Sequence, residues 1–340
     1  MLRRCLPIVS ILLIVIFYSC HPDKTEVDTS KVTIPPVQFM RLDKDVFSLT
    51  PANIDARTKE YQKKYKQFYN RYVSNILNNG GVVDSSYSES LLRFVNDKDM
   101  SEAYREIEKK YSDNDVALIG EALEEPVKRF KALFPARRIP ARYVTFMSGF
   151  NYNVVYVDST IGIGLDKYLG ADNRFYSMLQ WPRFQVRLMD KPYIVPDVVR
   201  GWMITEFDNS DPVNNLLNHM VFYGKIYYLC DVLLPDTDDS LKIGYTTAQM
   251  KYCHEYEKNL WGYFVKDNQL YENDLKLIAQ YTTDGPFTGA ISKECPPRIA
   301  MWVGWQIVRA YMANNPEVTP EQLMKEKDVQ KILSKSKYKP

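Results

Sequence analysis

The sequence predicts an α+β chain, predominantly helical with one small sheet, and three features of the pattern lead there. Apolar residues recur at threes and fours along most of the chain beyond residue 50. β-branched and aromatic runs separated by glycine-bearing turns are confined to residues 143–166. No internal repeat or low-complexity tract competes with either signal. A chain of 340 residues can bury a substantial core in one large or two modest domains. The continuous helical texture favours a single domain over residues 37–340.

The elements follow in chain order. Arg3 and Arg4 precede an apolar run from Ile8 to Tyr18, then Ser19 and Cys20. That run is shorter than the ~20 residues that cross a bilayer. A charged start, a short apolar stretch and a small residue at the cut mark residues 1–19 as an export signal. Ser19-Cys20 resembles the bacterial lipobox, which implies diacylation of the Cys20 thiol and attachment to a membrane of the cell envelope, the outer one above all. Ordinary cleavage beside an incidental thiol is the alternative. Residues 20–36 are polar and aperiodic, with Pro35-Pro36 at their end, and read as a lipidated linker.

The first structured element is Val37 to Phe47, where Val37, Phe39 and Leu42 suggest a short strand before the polar Asp43-Lys44-Asp45. Thr50-Pro51 opens a helix carried by Tyr61, Tyr65, Phe68, Tyr72 and Ile76 to about Leu77, stopped by Gly80-Gly81. Helices follow at Ser88–Asn96, Ser101–Tyr111 and Val116–Phe134, and strands at Tyr143–Phe146, Val154–Val157 and Ile161–Asp166. Period-3.6 segments then cover Val195–Phe207, Pro212–Leu233, Thr247–Lys266 and Pro297–Met312. Thr319-Pro320-Glu321-Gln322 is a capping-box start for a last helix ending near Ser334.

Composition narrows the function. Loss of Arg3 and Arg4 from 44 Lys+Arg leaves 42 against 42 Asp+Glu, with no basic surplus to suggest nucleic acid. Cys230, Cys253 and Cys295 form no CxxC pair and read as small core hydrophobes. With 25 tyrosines the chain either lines a carbohydrate or peptide surface or fills a large helical core.

Three histidines are too few for ordinary zinc chemistry, and His254-Glu255 has Lys258 where the second His of HExxH belongs. There is no GxSxG elbow, no GxGxxG and no Walker spacing. The sequence calls for no metal or cofactor. Asp166, Asp197 and Glu206, near the strands or the next helix, keep carboxylate chemistry open. Asp166 is also placed to cap a short Lys167–Leu169 turn. Gly224, inside an aromatic helix beside Tyr223, suggests a close backbone approach. Arg298, Trp302, Trp305 and Arg309 either line a groove or belong to a packed core helix.

Many of these residues carry a family resemblance. Leu234-Pro235-Asp236-Thr237, Leu241 to Thr246, Trp261, Phe264, Arg298 and Gly304 to Arg309 resemble the gliding-motility lipoprotein GldB family. So do Gly164 to Gly170, Ile194 to Asp197 and the Lys335 to Pro340 ending. The resemblance implies a Bacteroidetes envelope lipoprotein tied to gliding and its secretion machinery, with envelope proteins as partners. A more distant similarity, in the order strands, helix, aromatic-glycine helix, is to zincin-like peptidases. It implies a degenerate peptidase architecture without metal ligands, since Val198 to Trp202 holds no His and Tyr223 precedes Gly224. The expected function is therefore a non-enzymatic envelope component. Its candidate groove contains Asp166, Asp197, Glu206, Tyr223, Arg298 and Trp305. The rivals are a peptide- or glycan-binding lipoprotein and an unconventional hydrolase.

Overall fold

A computed structural model describes residues 26–78, 80–82, 84, 86–207 and 214–340. The export signal, Cys20 and the expected helix start at Pro212 lie outside the described residues.

Residues 26–36 have no regular structure, yet they do not stand free as a linker would. Val27 and Ile34 pack against core side chains, and Thr29 reaches Glu125 at 3.3 Å. The short strand expected before Asp43 forms. β1 spans Phe39–Arg41, and the chain turns at once into α1, Leu42–Phe47. Leu42 and Val46 are buried one turn apart, and Asp43 and Asp45 suit a helix start.

The long helix after Pro51 is broken. α2 is Ile54–Tyr65, Lys66 takes φ +56°, and α3, Gln67–Arg71, runs into a π turn over Tyr72–Ile76. The break widens the buried face, so that Tyr69 and Val73 join Tyr61, Tyr65, Phe68 and Tyr72 in one apolar cluster. α4 is Tyr87–Asn96, α5 Lys98–Lys110 and α6 Asp113–Leu133. A Ser112–Asp115 capping box starts α6.

β2 is Arg142–Phe146, β3 Val154–Val157 and β4 Thr160–Gly164. They form a sheet of order β1-β2-β4-β3, parallel except for the antiparallel edge strand β3. The third strand ends two residues early, because Leu165–Tyr168 is a 3₁₀ turn. α7, Arg174–Met178, and α8, Arg183–Val186, follow, too short to show a period. Next come α9, Ile194–Glu206, and α10, Leu216–Leu233. Beyond α11, Asp239–Ile243, the expected Thr247–Lys266 helix is split at Tyr256 into α12, Thr247–Glu255, and α13, Glu257–Val265. α14 is Leu275–Thr282, α15 Ile299–Asn314, α16 Pro320–Lys325 and α17 Val329–Ser336. The Thr319 capping box forms as read, with Thr319 N–H donating to Gln322 at 2.9 Å. The helix it opens stops at Lys325.

Alternation along the strands sends Val144 and Phe146 to one face and Tyr143, Ile161 and Ile163 to the other. The first face is covered by α2, α3 and α4, the second by α6 and α9, so the sheet is the middle of three layers. α10 lies beyond it and serves two cores. Ile226, Leu229, Cys230 and Leu233 face the sheet-side cluster, while Leu217, Met220, Val221 and Tyr227 face a helical cluster built on α15. A helix that is apolar all round is a buried helix, and this one is. Gly224 and Gly304 make the α10–α15 crossing possible. A Cβ on Gly224 would sit 2.2 Å from the Gly304 carbonyl oxygen, and one on Gly304 would sit 1.9 Å from that of Met220. Cys230, Cys253 and Cys295 are free and buried, and burial pushes the Cys230 and Cys295 thiols up to about 12. Among the described residues no helix is long and apolar enough to cross a membrane.

Candidate functional site

A cavity of about 310 Å³ opens where β4 ends, walled by the 3₁₀ turn, the α8 region, the start of α9, the end of α11 and the start of α15. Part of its wall is carried by a loop held by Asp166. This carboxylate is fully buried and does not cap the turn it sits in. It accepts from Ser148 N–H at 3.0 Å, Ser148 Oγ at 3.0 Å and Phe150 N–H at 2.5 Å. Ser148 Oγ in turn accepts from the backbone N–H groups of Asn151 and Tyr152, each at 3.0 Å. The result is a pinned loop that carries Asn151 and Asn153 to the cavity wall. Burial pushes Asp166 up to about 6, while the backbone N–H groups of Phe150 and Ser148 and the Ser148 hydroxyl pull the other way.

Lys167, next in sequence, turns into the wall. It is 7% exposed, its ammonium lies 3.5 Å from the centre of the Trp181 ring, and burial brings it down to about 8. On α9, Asp197 and Arg200 stand one turn apart and pair at 2.5 Å. Asp197 also accepts from Tyr168 Oη at 2.8 Å, and Arg200 donates to the Lys242 carbonyl at 2.7 Å. Burial lowers the Arg200 pKa, and Asp197 more than reverses that. Arg298 begins α15 with φ +57°, in the left-handed region. It donates to the Ile243 carbonyl at 2.8 Å and lies 3.4 Å from Asp284.

The six candidate residues are therefore dispersed. Asp197 and Arg298 line one cavity, and Asp166 holds the loop that carries Asn151 and Asn153 to its wall. Glu206 is not there. It closes the far end of α9, paired with Arg137 at 2.5 Å, beside a second cavity of about 340 Å³ lined by Tyr156 and Trp202. Nine residues of helix place it ~13 Å from Asp197. Tyr223 packs edge-on to Phe222 at 5.2 Å and is absent from the cavity wall.

Trp302 and Trp305 are fully buried and line no groove. Trp305 stacks on Tyr227 and donates its Nε1–H to Asp231 at 2.8 Å. Asp231 also takes Arg309 at 2.7 Å and Lys242 at 3.0 Å, a buried network that ties α10, α11 and α15 together. Those side chains are structural. His254 is exposed on α12, edge-on to Trp302 at 5.5 Å. Among the described residues no three His, Cys, Asp or Glu side chains are grouped to hold a metal ion. Sequence reading did not single out Lys167, Arg200 and Trp181. Lys167 directly after Asp166 was the available signal, and only the fold shows that Lys167 lines the cavity while Asp166 holds the Ser148–Phe150 loop.

No curated protein and no solved structure matches the chain. The family model described as gliding motility protein GldB matches residues 22–340, almost the whole sequence, so the chain belongs to that family of gliding-motility lipoproteins.

Proposed function

We propose that this member of the GldB family is a lipid-anchored protein of the outer cell envelope that supports gliding motility, or secretion coupled to it, by binding a partner rather than by turnover. The observation that carries the reading is how the charges in the cavity wall are spent. Asp197 is paired with Arg200 and hydrogen-bonded to Tyr168, and Asp284 lies at ion-pair distance from Arg298. Hydrolysis asks for a free base beside a water, or a metal that acidifies it. Three cationic side chains round the cavity, Lys167, Arg200 and Arg298, oppose a second cation.

The order of β2–β4, α9 and α10 is consistent with a peptidase-like scaffold turned to binding, and Cys20 is its proposed anchor. The test is gene replacement in the source organism with Asp197→Ala or Arg200→Ala. Motility, secretion and envelope integrity should fall although the protein is present at normal level. Wild-type behaviour after complete deletion would sink the proposal. One tightly held zinc with peptidase turnover in the purified chain would replace it with an enzymatic reading.

A further inference from the structure

The sheet has two edges, and the sequence guards one of them. β1 is three residues long, follows Pro35-Pro36 and carries Arg41. Shortness, proline and charge are what keep an edge strand from pairing with another chain. β3, at the other edge, is Val154-Val155-Tyr156-Val157, with no charge, no proline and no bulge in its register. All four residues are only half-buried.

The register tells which backbone groups of β3 are spent. Gly164 N–H donates to the Asn153 carbonyl at 2.8 Å, so the next hydrogen-bonded positions are Val155 and Val157, opposite Gly162 and Thr160. The N–H and C=O groups of Val154 and Tyr156 therefore point away from β4. Among the described residues they meet no hydrogen-bond partner. A strand laid along this edge would satisfy all four groups.

Both cavities described above flank the same edge. The first is lined by Asn151 and Asn153, just before β3, and by Asp197 and Arg200 on α9. The second is lined by Tyr156 and Asp158, at the end of β3, and by Trp202 and Glu206 on α9. β3 and α9 thus run in the same direction, with Tyr156 Oη donating to the Val198 carbonyl at 2.6 Å. The ~13 Å of helix from Asp197 to Glu206 equals the rise of four strand residues. Side chains at i and i+4 of an added strand share a face and match that spacing. The walls have no net charge for them to meet. Asp197 is spent on Arg200, Asp284 on Arg298 and Glu206 on Arg137, and Asp166 acts on Lys167. Arg138 and Asp158 add one charge of each sign.

We infer that an extended segment of a partner protein adds to β3 as a fifth strand, held by the backbone of Val154 and Tyr156. Two of its uncharged side chains, four residues apart, enter the two cavities. The inference rests on the binding role proposed above and names the surface and the form of the partner.

The test is fluorescence polarisation of the full-length chain in detergent with end-capped heptapeptides, Val, Ile or Tyr at positions 2 and 6 and Thr elsewhere. Alternate amides of an added strand face β3, so N-methylation of the odd and of the even amides should act unequally. One set should weaken binding tenfold or more, since each backbone hydrogen bond is worth about fivefold, and the other less than about twofold. Lys at positions 2 and 6 should weaken it severalfold. Val154→Pro removes an outward donor and spares the ladder to β4, and should weaken binding about fivefold or more. If that variant does not fold, hydrogen exchange of the wild type decides. Bound peptide should slow the Val154 and Tyr156 amides and leave those of Val155 and Val157 unchanged. No binding, equal effects of the two methylation sets, or unchanged exchange at Val154 and Tyr156 would each overturn the inference. So would a dimer of the free chain that Val154→Pro dissociates, because a second copy would then close the edge. The proposed function is read separately, from motility and secretion of the Asp197 and Arg200 replacements. If those fall while every peptide fails, strand addition alone is lost.

Discussion

Asp166 and Lys167 are adjacent, both buried, and solve burial in opposite ways. Asp166 surrounds itself with donors from Ser148 and Phe150, so its removal strands several polar groups at once. Asp166→Ala is expected to cost about 3 kcal/mol or more in urea unfolding and to loosen hydrogen exchange at residues 148–152. Lys167 keeps its charge with a ring face for company, and burial brings it from 10.5 down to about 8. The unfolded chain holds that proton up to about 10.5, so between the two values it binds more protons than the folded one. This lysine therefore adds stability as pH rises through that window.

Asp166 acts on its charge, Asp197, Arg200, Asp284 and Arg298 line the same cavity, and all are also present in Lys167→Met. The urea-derived unfolding free energy of wild type minus variant should rise between pH 7.5 and pH 9.5, by about 1–2 kcal/mol. A flat difference would show that the ammonium is solvated. Asp166 was legible as a residue of interest from its place after a strand. Its partners, 16 and 18 residues earlier, were not, because a loop has no period from which to read them.

At the scale of elements, the crossing of α10 and α15 is set by two glycines. Gly304→Ala puts a methyl group onto the Met220 carbonyl, and only separation of the helices can relieve it. The expected cost is about 2–3 kcal/mol by thermal or urea unfolding, against the small gain in helix propensity that alanine brings at an open site. Gly262→Ala is the control, since nothing lies within 4 Å of its added Cβ. That contrast was half legible. A glycine inside an aromatic helix signals an approach, but not what approaches. Helices α6, α9 and α15 were plain from periodicity, whereas the breaks at Lys66 and Tyr256 were not. The apolar stripe continues across both, and tertiary packing, not local sequence, sets where each helix restarts.

At the scale of the molecule, α10 belongs to two cores and couples them. Leu229→Ala, on its sheet-facing side, should lower the unfolding free energy by about 2–5 kcal/mol while far- and near-ultraviolet circular dichroism still move together. Separate transitions would mean that the helical cluster folds by itself. The fold class was legible because periods of 3.6 and 2 are local signals. The site was not, because Asp197 and Arg298 are brought together across five intervening helices by the folding back of α15, and no spacing rule spans that distance. The docked segment before β1 has a mechanical meaning as well. Residues 27–37 are laid down on the body, with Val37 N–H donating to Glu124 at 3.3 Å. From Cys20 to Glu26 is six residues, which at full stretch reach no more than ~20 Å. With the anchor proposed at Cys20, the protein would be on a short leash, and a partner of the kind proposed above would have to be delivered to the lipid surface.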